Sequence, residues 1–166
     1  MTVNTQRPNF LRPAAAPVSG QRLYLREDEL DAGLAMILEA GHVLKAHTLG
    51  EREKHGLNWT QARALTTILQ APQGVLAVSI RLDITKQSAI KTIEELEQRN
   101  LVTRGNDPHD GRRRTINLTP TGETIARELS TAMRSLLAKA YRQAGGDAVA
   151  GCDAVLTAIK SGGAKS

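Results

Sequence analysis

Residues 103–122 read TRGNDPHDGRRRTINLTPTG, the most informative stretch of the chain about its fold. Alternating apolar and polar residues on its two sides predict short β-strands at 101–104 and 113–118. The residues between the strands are of types that initiate turns or tolerate positive φ, namely Asp107, Pro108, Asp110 and Gly111. The stretch therefore predicts a β-hairpin, and three consecutive arginines, 112–114, follow its turn.

A helix is predicted directly before this hairpin. Thr85 is a residue type that caps helix N-termini, and the run from there extends to about Arg99. Apolar residues repeat along one side of this run at Ala89, Ile90, Ile93 and Leu96. A helix followed by an arginine-tipped hairpin is the DNA-contacting surface of a winged helix-turn-helix, in which the helix suits a major groove and the hairpin suits phosphates or the minor groove. These two elements together predict a DNA-binding protein.

The polar side of this helix supplies most of the candidate DNA contacts. At about 100° per residue, Gln87, Ser88 and Lys91 lie opposite the apolar side, and Lys86 and Thr92 flank them. Glutamine can bond to one base edge, lysine can donate to guanine or phosphate, and a small serine permits close approach. The alternative is an ordinary solvated helix face, and the adjoining hairpin favours the DNA interpretation.

Two glutamates limit how this helix approaches DNA. Glu94 and Glu95 lie farther along the polar side and would repel phosphates if the whole helix lay flat in a groove. We therefore expect the N-terminal half of the helix to approach the DNA.

The second strand of the hairpin adds candidate contacts. Ile116 and Leu118 share one parity and are expected to face the core. The opposite parity predicts three outward-facing residues, Arg113, Thr115 and Asn117. Arg112 lies at the tip, where a guanidinium can enter a narrow minor groove. The alternative for the arginine run is a solvated edge that discourages pairing with another sheet.

Composition narrows the class of protein and its partner. A chain of 166 residues is long enough for one domain, and its net charge of +5 favours a polyanionic partner. Aromatic residues make up only 2% of the chain, which disfavours a surface that stacks unpaired bases and favours duplex DNA. Without a bilayer-spanning apolar run or a secretory signal, the protein is expected to be cytoplasmic. The sequence shows no phosphate loop or nucleophile elbow, so we expect no enzyme and no cofactor.

The rest of the chain reads as helices around the predicted winged domain. We expect a mobile proline-containing arm at 1–22, an N-terminal dimerisation helix within 23–56, the winged helix-turn-helix at 57–122, and C-terminal dimerisation helices with a tail at 123–166. Within the winged domain, Thr60 is the expected N-cap of a helix that Pro72 ends, and a short helix spans 75–82. Thr119 and Pro120 begin a long helix that Gly145 breaks.

Histidines and cysteine indicate no metal or disulfide. His42, His47, His55 and His109 lack the spacing of metal ligands, which favours structural or surface roles. Cys152 is the only cysteine and cannot form an internal disulfide. We expect it to be buried on the terminal helix, with redox sensing as the alternative.

The motifs of the middle segment resemble those of a known family. The sequence IRLDITKQSAIKTIEELEQRNLVTR precedes a D-P-x-D-x-R pattern at 107–112 and an L-T-x-x-G pattern at 118–122. In this order and spacing they are similar to the multiple antibiotic resistance regulator (MarR) family of bacterial transcription factors. The chain departs from that family at Asp83, where glycine is frequent, and in its proline-rich arm. The resemblance implies a homodimer, a winged helix-turn-helix in each subunit, and transcriptional control that a small molecule often relieves. It also implies an effector pocket between the dimerising helices and the winged domain.

The residues and the resemblance lead to one fold and two candidate functions. The expected fold is mostly α-helical with a small β-hairpin wing, a winged helix-turn-helix dimerised through its N- and C-terminal helices. The expected function is that of a dimeric, sequence-specific repressor on a pseudo-palindromic operator in double-stranded DNA. The alternative is a winged-helix module for protein–protein interaction that has only non-specific affinity for DNA.

Overall fold

A computed structural model describes residues 25–106 and 114–163 of the chain. Their elements, in chain order, are α1 (Glu27–His47), α2 (Leu49–Lys54), α3 (Trp59–Gln70), α4 (Val75–Leu82), α5 (Lys86–Gln98), β1 (Val102–Asn106), β2 (Arg114–Leu118), α6 (Pro120–Ala144) and α7 (Gly146–Gly163). The predicted mostly helical fold with one β-hairpin is confirmed. Residue contacts divide the chain into two compact units, one holding residues 33–138 and the other the segments that flank it.

The core of the larger unit joins its helices to the hairpin. Its largest fully buried side chains include Leu65 of α3, Ile93 and Leu96 of α5, Ile116 of β2 and Leu129 of α6. Burying each such side chain stabilises the folded state by about 1.5–3 kcal/mol relative to leaving it exposed. The apolar side predicted for α5 is therefore the side that fixes this helix to the rest of the unit.

The first helix of the winged unit begins two residues earlier than the sequence predicts. Its N-cap is Asn58, whose side chain accepts a hydrogen bond from the Gln61 backbone N–H at 2.9 Å. The Gln61 side chain accepts in return from the Asn58 backbone N–H at 3.0 Å. The prediction of Thr60 as the cap was wrong because this reciprocal pair satisfies two otherwise free backbone donors.

The predicted hairpin is confirmed, with its strands shifted along the sequence. Antiparallel pairing joins Val102 to Leu118 and Arg104 to Ile116. On the other edge of β2, the Ile116 N–H donates to the Gln73 carbonyl at 2.8 Å. Residues 107–113 lie outside the described residues, and with them Arg112, Arg113 and His109.

One residue of the second strand is placed differently from its predicted position. Thr115 is buried, whereas strand alternation predicted that it points outward. The Asn117 amide donates to the Thr115 hydroxyl at 3.4 Å, and the facing residue on β1 is Gly105, whose lack of a side chain leaves room for this pair. Both faces of β2 are therefore covered at this position.

The junction between the hairpin and α6 is fixed by one threonine and one glycine. Thr119 caps α6 as predicted, because its hydroxyl accepts from the Gly122 N–H at 3.0 Å and donates to the Asn100 carbonyl at 2.7 Å. A Cβ atom on Gly122 would lie 1.8 Å from the Leu101 carbonyl oxygen. This close approach explains why the L-T-x-x-G pattern ends on glycine.

The terminal helices leave their apolar residues exposed. Within the described residues, α1 buries no side chain, and Leu34, Ile37 and Leu38 are exposed along it. In α7, Val155, Leu156 and Ile159 are exposed as well.

The cysteine of the second terminal helix was also predicted incorrectly. Cys152 is exposed, because α7 has no buried side in the described part of the chain. A search of the described helices finds none that is long and apolar enough to cross a membrane.

Candidate nucleic-acid interface

The start of α5 is fixed by its N-cap, as the sequence predicts. Thr85 has an extended backbone, and its hydroxyl accepts a hydrogen bond from the Ser88 N–H at 3.1 Å. The hydroxyl oxygens of the same two residues lie 2.8 Å apart. These bonds satisfy a free backbone donor and hold the first turn of the helix in one arrangement.

The corner between α4 and α5 uses an aspartate in a left-handed conformation. Asp83 has φ 55° and ψ 54°, and its N–H donates to the Ile80 carbonyl at 3.3 Å. Aspartate and asparagine adopt this region more readily than most residues other than glycine. The departure from the family pattern at this position therefore preserves the tight turn between the two helices.

An arginine of α3, which the sequence pattern did not predict, stabilises the corner. Arg63 of α3 donates to the Leu82 carbonyl at 3.0 Å and to the Arg81 carbonyl at 2.9 Å. These carbonyls belong to the last turn of α4, where helical partners are missing. Nothing in the local sequence signals this role, because the partners lie 18 and 19 residues along the chain.

The two sides of α5 differ as the helical periodicity predicts. Ala89, Ile93 and Leu96 are fully buried. Four of the five predicted contact residues on this helix are exposed, namely Lys86, Gln87, Ser88 and Lys91. The structure thus brings these four polar side chains together on the N-terminal half of one exposed helix face.

The fifth candidate on this helix does not belong to that face. Thr92 is only 8% exposed, and its hydroxyl donates to the Ser88 carbonyl at 2.8 Å. Threonine makes this bond to the preceding turn because its short side chain reaches the carbonyl four residues earlier. Thr92 is therefore buried and not on the edge of the exposed face, where the helical periodicity placed it, and its hydrogen bond supports the first turn of α5.

The glutamates of α5 have separate surroundings. Glu94 is exposed, whereas Glu95 is partly buried and accepts a hydrogen bond from the Gln61 side-chain amide at 2.9 Å. Glu95 thereby ties α5 to the first turn of α3. An exposed carboxylate at Glu94 still opposes phosphate, which favours approach by the N-terminal half of the helix.

Comparison with known proteins places this arrangement in a family. A family model described as MarR family matches residues 55–113. The HTH-type transcriptional regulator PetP of Rhodobacter capsulatus is 32% identical over 145 residues, which cover 87% of each chain. The chain belongs to the MarR family. It is accordingly a DNA-binding transcriptional regulator.

Solved structures of MarR-family regulators share the fold. MepR of S. aureus, solved in a DNA-binding conformation, superposes with a TM-score of 0.68 at 19% identity and covers 77% of this chain and 96% of its own. CouR of Rhodococcus jostii RHA1, solved with p-coumaroyl-CoA bound, gives a TM-score of 0.64 at 20% identity and covers 78% of this chain and 91% of its own. At these identities the likeness shows the winged helix-turn-helix fold.

This MarR-family chain also has a cleft between α3 and α6. The cleft has a volume of about 580 Å³. Residues that line it include Trp59, Arg63, Thr66, Arg127, Met133 and Arg134. None of its described lining residues is acidic, and Arg127 is the only one of the three arginines that pairs with a carboxylate in the described structure, that of Glu123. The cleft is therefore electropositive and has an aromatic wall.

The histidines show no arrangement for a metal in the part of the chain that is described. No group of three or more potential ligands occurs among those residues. His42 and His47 are exposed, and the His55 ring nitrogen lies 2.8 Å from a Glu128 carboxylate oxygen. His42 and His47 thus lie at the surface, and His55 contacts α6 through Glu128.

Proposed function

We propose that this MarR-family protein is a dimeric repressor that binds a pseudo-palindromic operator in double-stranded DNA in the cytoplasm. The observation that carries the proposal is the exposed polar face of α5, formed by Lys86, Gln87, Ser88 and Lys91 on a helix whose opposite side is fully buried. A rigid helix with polar residues at its N-terminal end is suited to reading base edges in a major groove.

The individual side chains suit different kinds of contact. Gln87 has an amide that can bond to adenine in a bidentate manner, and Lys91 can donate to guanine or to a phosphate. Ser88 is small and permits close approach of the helix to the DNA. On the wing, Arg112 and Arg113 are expected to bind phosphates or the minor groove, a proposal that rests on the sequence alone.

The exposed apolar side chains of α1 and α7 support a second copy of the chain as the partner. Large apolar surfaces on a protein mark places where another surface docks. A twofold axis would place two copies of α5 in successive major grooves about 34 Å apart, which requires an operator with matching half-sites.

A small-molecule effector is the second part of the proposal. CouR, which has the same fold, has p-coumaroyl-CoA bound in its solved structure. This supports a ligand-responsive role for the present protein. The cleft between α3 and α6 suits a negatively charged effector because arginines line it. Arg63 both lines the cleft and bonds to the end of α4, so an anion that attracts Arg63 would loosen the corner before α5.

Selected duplexes test the DNA-binding part. Fragments enriched from a random duplex pool by the wild-type protein provide a specific sequence, and a scrambled duplex provides the reference. We expect Gln87→Ala or Lys91→Ala to reduce discrimination between the two by about 1–3 kcal/mol. Lys45→Ala, which removes an exposed lysine from α1, is the matched control and should leave discrimination unchanged.

Other outcomes of that experiment favour other functions. Equal loss of affinity on both duplexes would show that the side chain contacts only phosphate. Binding that is only micromolar and salt-labile on every duplex would favour the winged-helix module for protein interaction.

Tryptophan fluorescence tests the effector part. Trp59 is the only tryptophan in the chain and lines the cleft, so its emission reports a ligand bound there. The protein is titrated with p-coumaroyl-CoA and with simple aromatic carboxylates. Any of these compounds that releases the protein from DNA should also change the emission of Trp59. Arg134→Ala should weaken that ligand roughly tenfold, since it removes a charge-assisted bond. Release of DNA without any change at Trp59 would place the effector elsewhere.

A further inference from the structure

An exposed isoleucine at the α4–α5 corner is left unexplained by the polar contacts of α5. Ile80 is 72% exposed, the largest value among the large hydrophobic side chains that the structure describes. It lies on the outer side of α4, whose inner side is buried through Val78 and Leu82. A single exposed apolar residue is ordinary. Ile80 differs from an ordinary exposed residue because of the residues that lie beside it.

Ile80 lies beside the first turn of the recognition helix. Ile80, Asp83, Thr85 and Ser88 line the same shallow depression. Ser88 belongs to the polar face of α5, and Thr85 is the cap that fixes it. A group that enters the depression next to Ser88 therefore also meets Ile80, so the isoleucine continues the proposed DNA-contacting face.

The side chain of Ile80 itself has no group that binds a phosphate, although the hydroxyls of Thr85 and Ser88 line the same depression. A phosphate is bound by positive charge or by hydrogen-bond donors, and the isoleucine side chain offers neither. Asp83 is exposed at the rim and repels a phosphate by its negative charge. The partner of this apolar spot is expected to be apolar as well.

The major groove presents one prominent apolar group, the C5-methyl of thymine. We propose that Ile80 contacts the C5-methyl group of a thymine in each half-site and so determines specificity at that base pair. This inference rests on the proposed function, because it requires α5 to read bases. It adds a specificity-determining residue on α4 to the polar readout by α5.

A neighbouring leucine provides the matched control. Leu76 lies four residues earlier on α4 and is 60% exposed, and it does not line the depression. Ile80→Ser and Leu76→Ser therefore remove similar exposed apolar side chains from one helix. Because both positions are exposed, both variants should fold, and circular dichroism with thermal unfolding verifies this.

The experiment begins with selection from a random duplex pool by the wild-type protein and by each variant. The wild-type protein and Leu76→Ser should enrich thymine at one position of each half-site, whereas Ile80→Ser should lose that preference. Deoxyuridine, which lacks only the methyl group, then replaces that thymine in one half-site. Wild-type affinity should fall about fourfold, the equivalent of one buried methyl-sized group, and the affinity of Ile80→Ser should not change.

Three outcomes would overturn the inference. Retention of every base preference by Ile80→Ser would show that the isoleucine reads no base. An equal effect of deoxyuridine on wild type and Ile80→Ser would assign the methyl contact to another residue. Failure of the wild-type protein to enrich any sequence would overturn the proposed function, and this inference with it.

Discussion

In the segment from α3 to the start of α6, most leucine and isoleucine side chains are buried, Leu76 and Ile80 of α4 being exposed, whereas in α1 and α7 the same residue types are mostly exposed. Leu65 and Ile93 are fully buried in the first region, while Leu34 and Ile159 are exposed in the second. Both regions show helical periodicity in the sequence. Periodicity therefore identifies an apolar face of a helix, whereas the burial of this face depends on which surface is available to cover it.

The stabilities of the winged region and of the terminal helices should depend differently on protein concentration. The winged region completes its core within one chain, so its stability should not depend on protein concentration. The terminal helices need another surface to cover their apolar residues, and we propose that a second copy provides it. Their stability should then depend on concentration.

The largest expected loss of stability comes from replacing a glycine of the winged region, with a glycine of α1 as the comparison. Gly122→Ala would place a Cβ 1.8 Å from the Leu101 carbonyl oxygen, so we expect a loss of about 4 kcal/mol in unfolding free energy or failure to fold. Gly41→Ala in α1 meets no atom of the described residues within 4 Å and should leave the protein as stable or slightly more stable. Urea unfolding followed by circular dichroism measures the unfolding free energy of both variants. If Gly122→Ala were as stable as wild type, this would contradict the close packing of Gly122 against Leu101.

Substitution of a leucine of α1 tests whether a second copy of the chain packs against the terminal helices. Leu34→Ala removes two leucines from a symmetric dimer, which should cost about 3 kcal/mol and raise the dimer dissociation constant about 150-fold. Leu76→Ala on α4 removes an equally exposed leucine and should leave dimerisation unchanged. Sedimentation velocity over a range of concentrations measures the dimer dissociation constant. A wild-type protein that stays monomeric at every concentration would contradict the proposal that a second copy covers the terminal helices.

The cap of α6 should show an intermediate effect. Thr119→Ala removes the bond that Gly122 donates and the bond to the Asn100 carbonyl, so we expect a loss of about 1–2 kcal/mol. Thr131→Ala is the control, because among the described residues its exposed hydroxyl bonds only within α6: it donates to the Arg127 carbonyl and accepts from the Arg134 guanidinium. Thermal unfolding should separate the two variants, and equal stabilities would show that the cap does not hold the hairpin to α6.

The smallest effect concerns the corner before α5. Asp83→Gly relieves the left-handed conformation and should raise the unfolding free energy by less than about 1 kcal/mol. Asp83→Val should lower it, because a β-branched residue adopts positive φ poorly. Urea unfolding of the two variants, compared with wild type, checks the sign, and a loss of stability in both would show that the aspartate side chain itself supports the corner.

Local patterns predicted much of the winged region. The bounds of α4, the caps Thr85 and Thr119, and the buried side of α5 all follow from residue types a few positions apart. The errors have a common origin in contacts that a one-dimensional pattern does not contain. Thr115 is covered by Asn117 across a position where the facing strand has glycine, and the role of Arg63 depends on carbonyls in another helix.

The terminal helices were predicted less completely for the opposite reason. Their periodicity located α1 and α7, but the exposure of Cys152 depends on whether another surface covers α7. A single sequence does not state the number of chains in an assembly. The exposure of four candidate DNA-contacting residues of α5 was predicted because these residues lie opposite a buried side. Thr92 was expected at the edge of the exposed face but is buried, because it lies at the boundary between the two sides.

Hydroxyl-radical footprinting on the selected operator determines whether two winged units bind one duplex. We expect two protected segments, centred about 34 Å or one helical turn apart, that appear together as the protein concentration rises. A single protected segment, or uniform protection along the duplex, would contradict it.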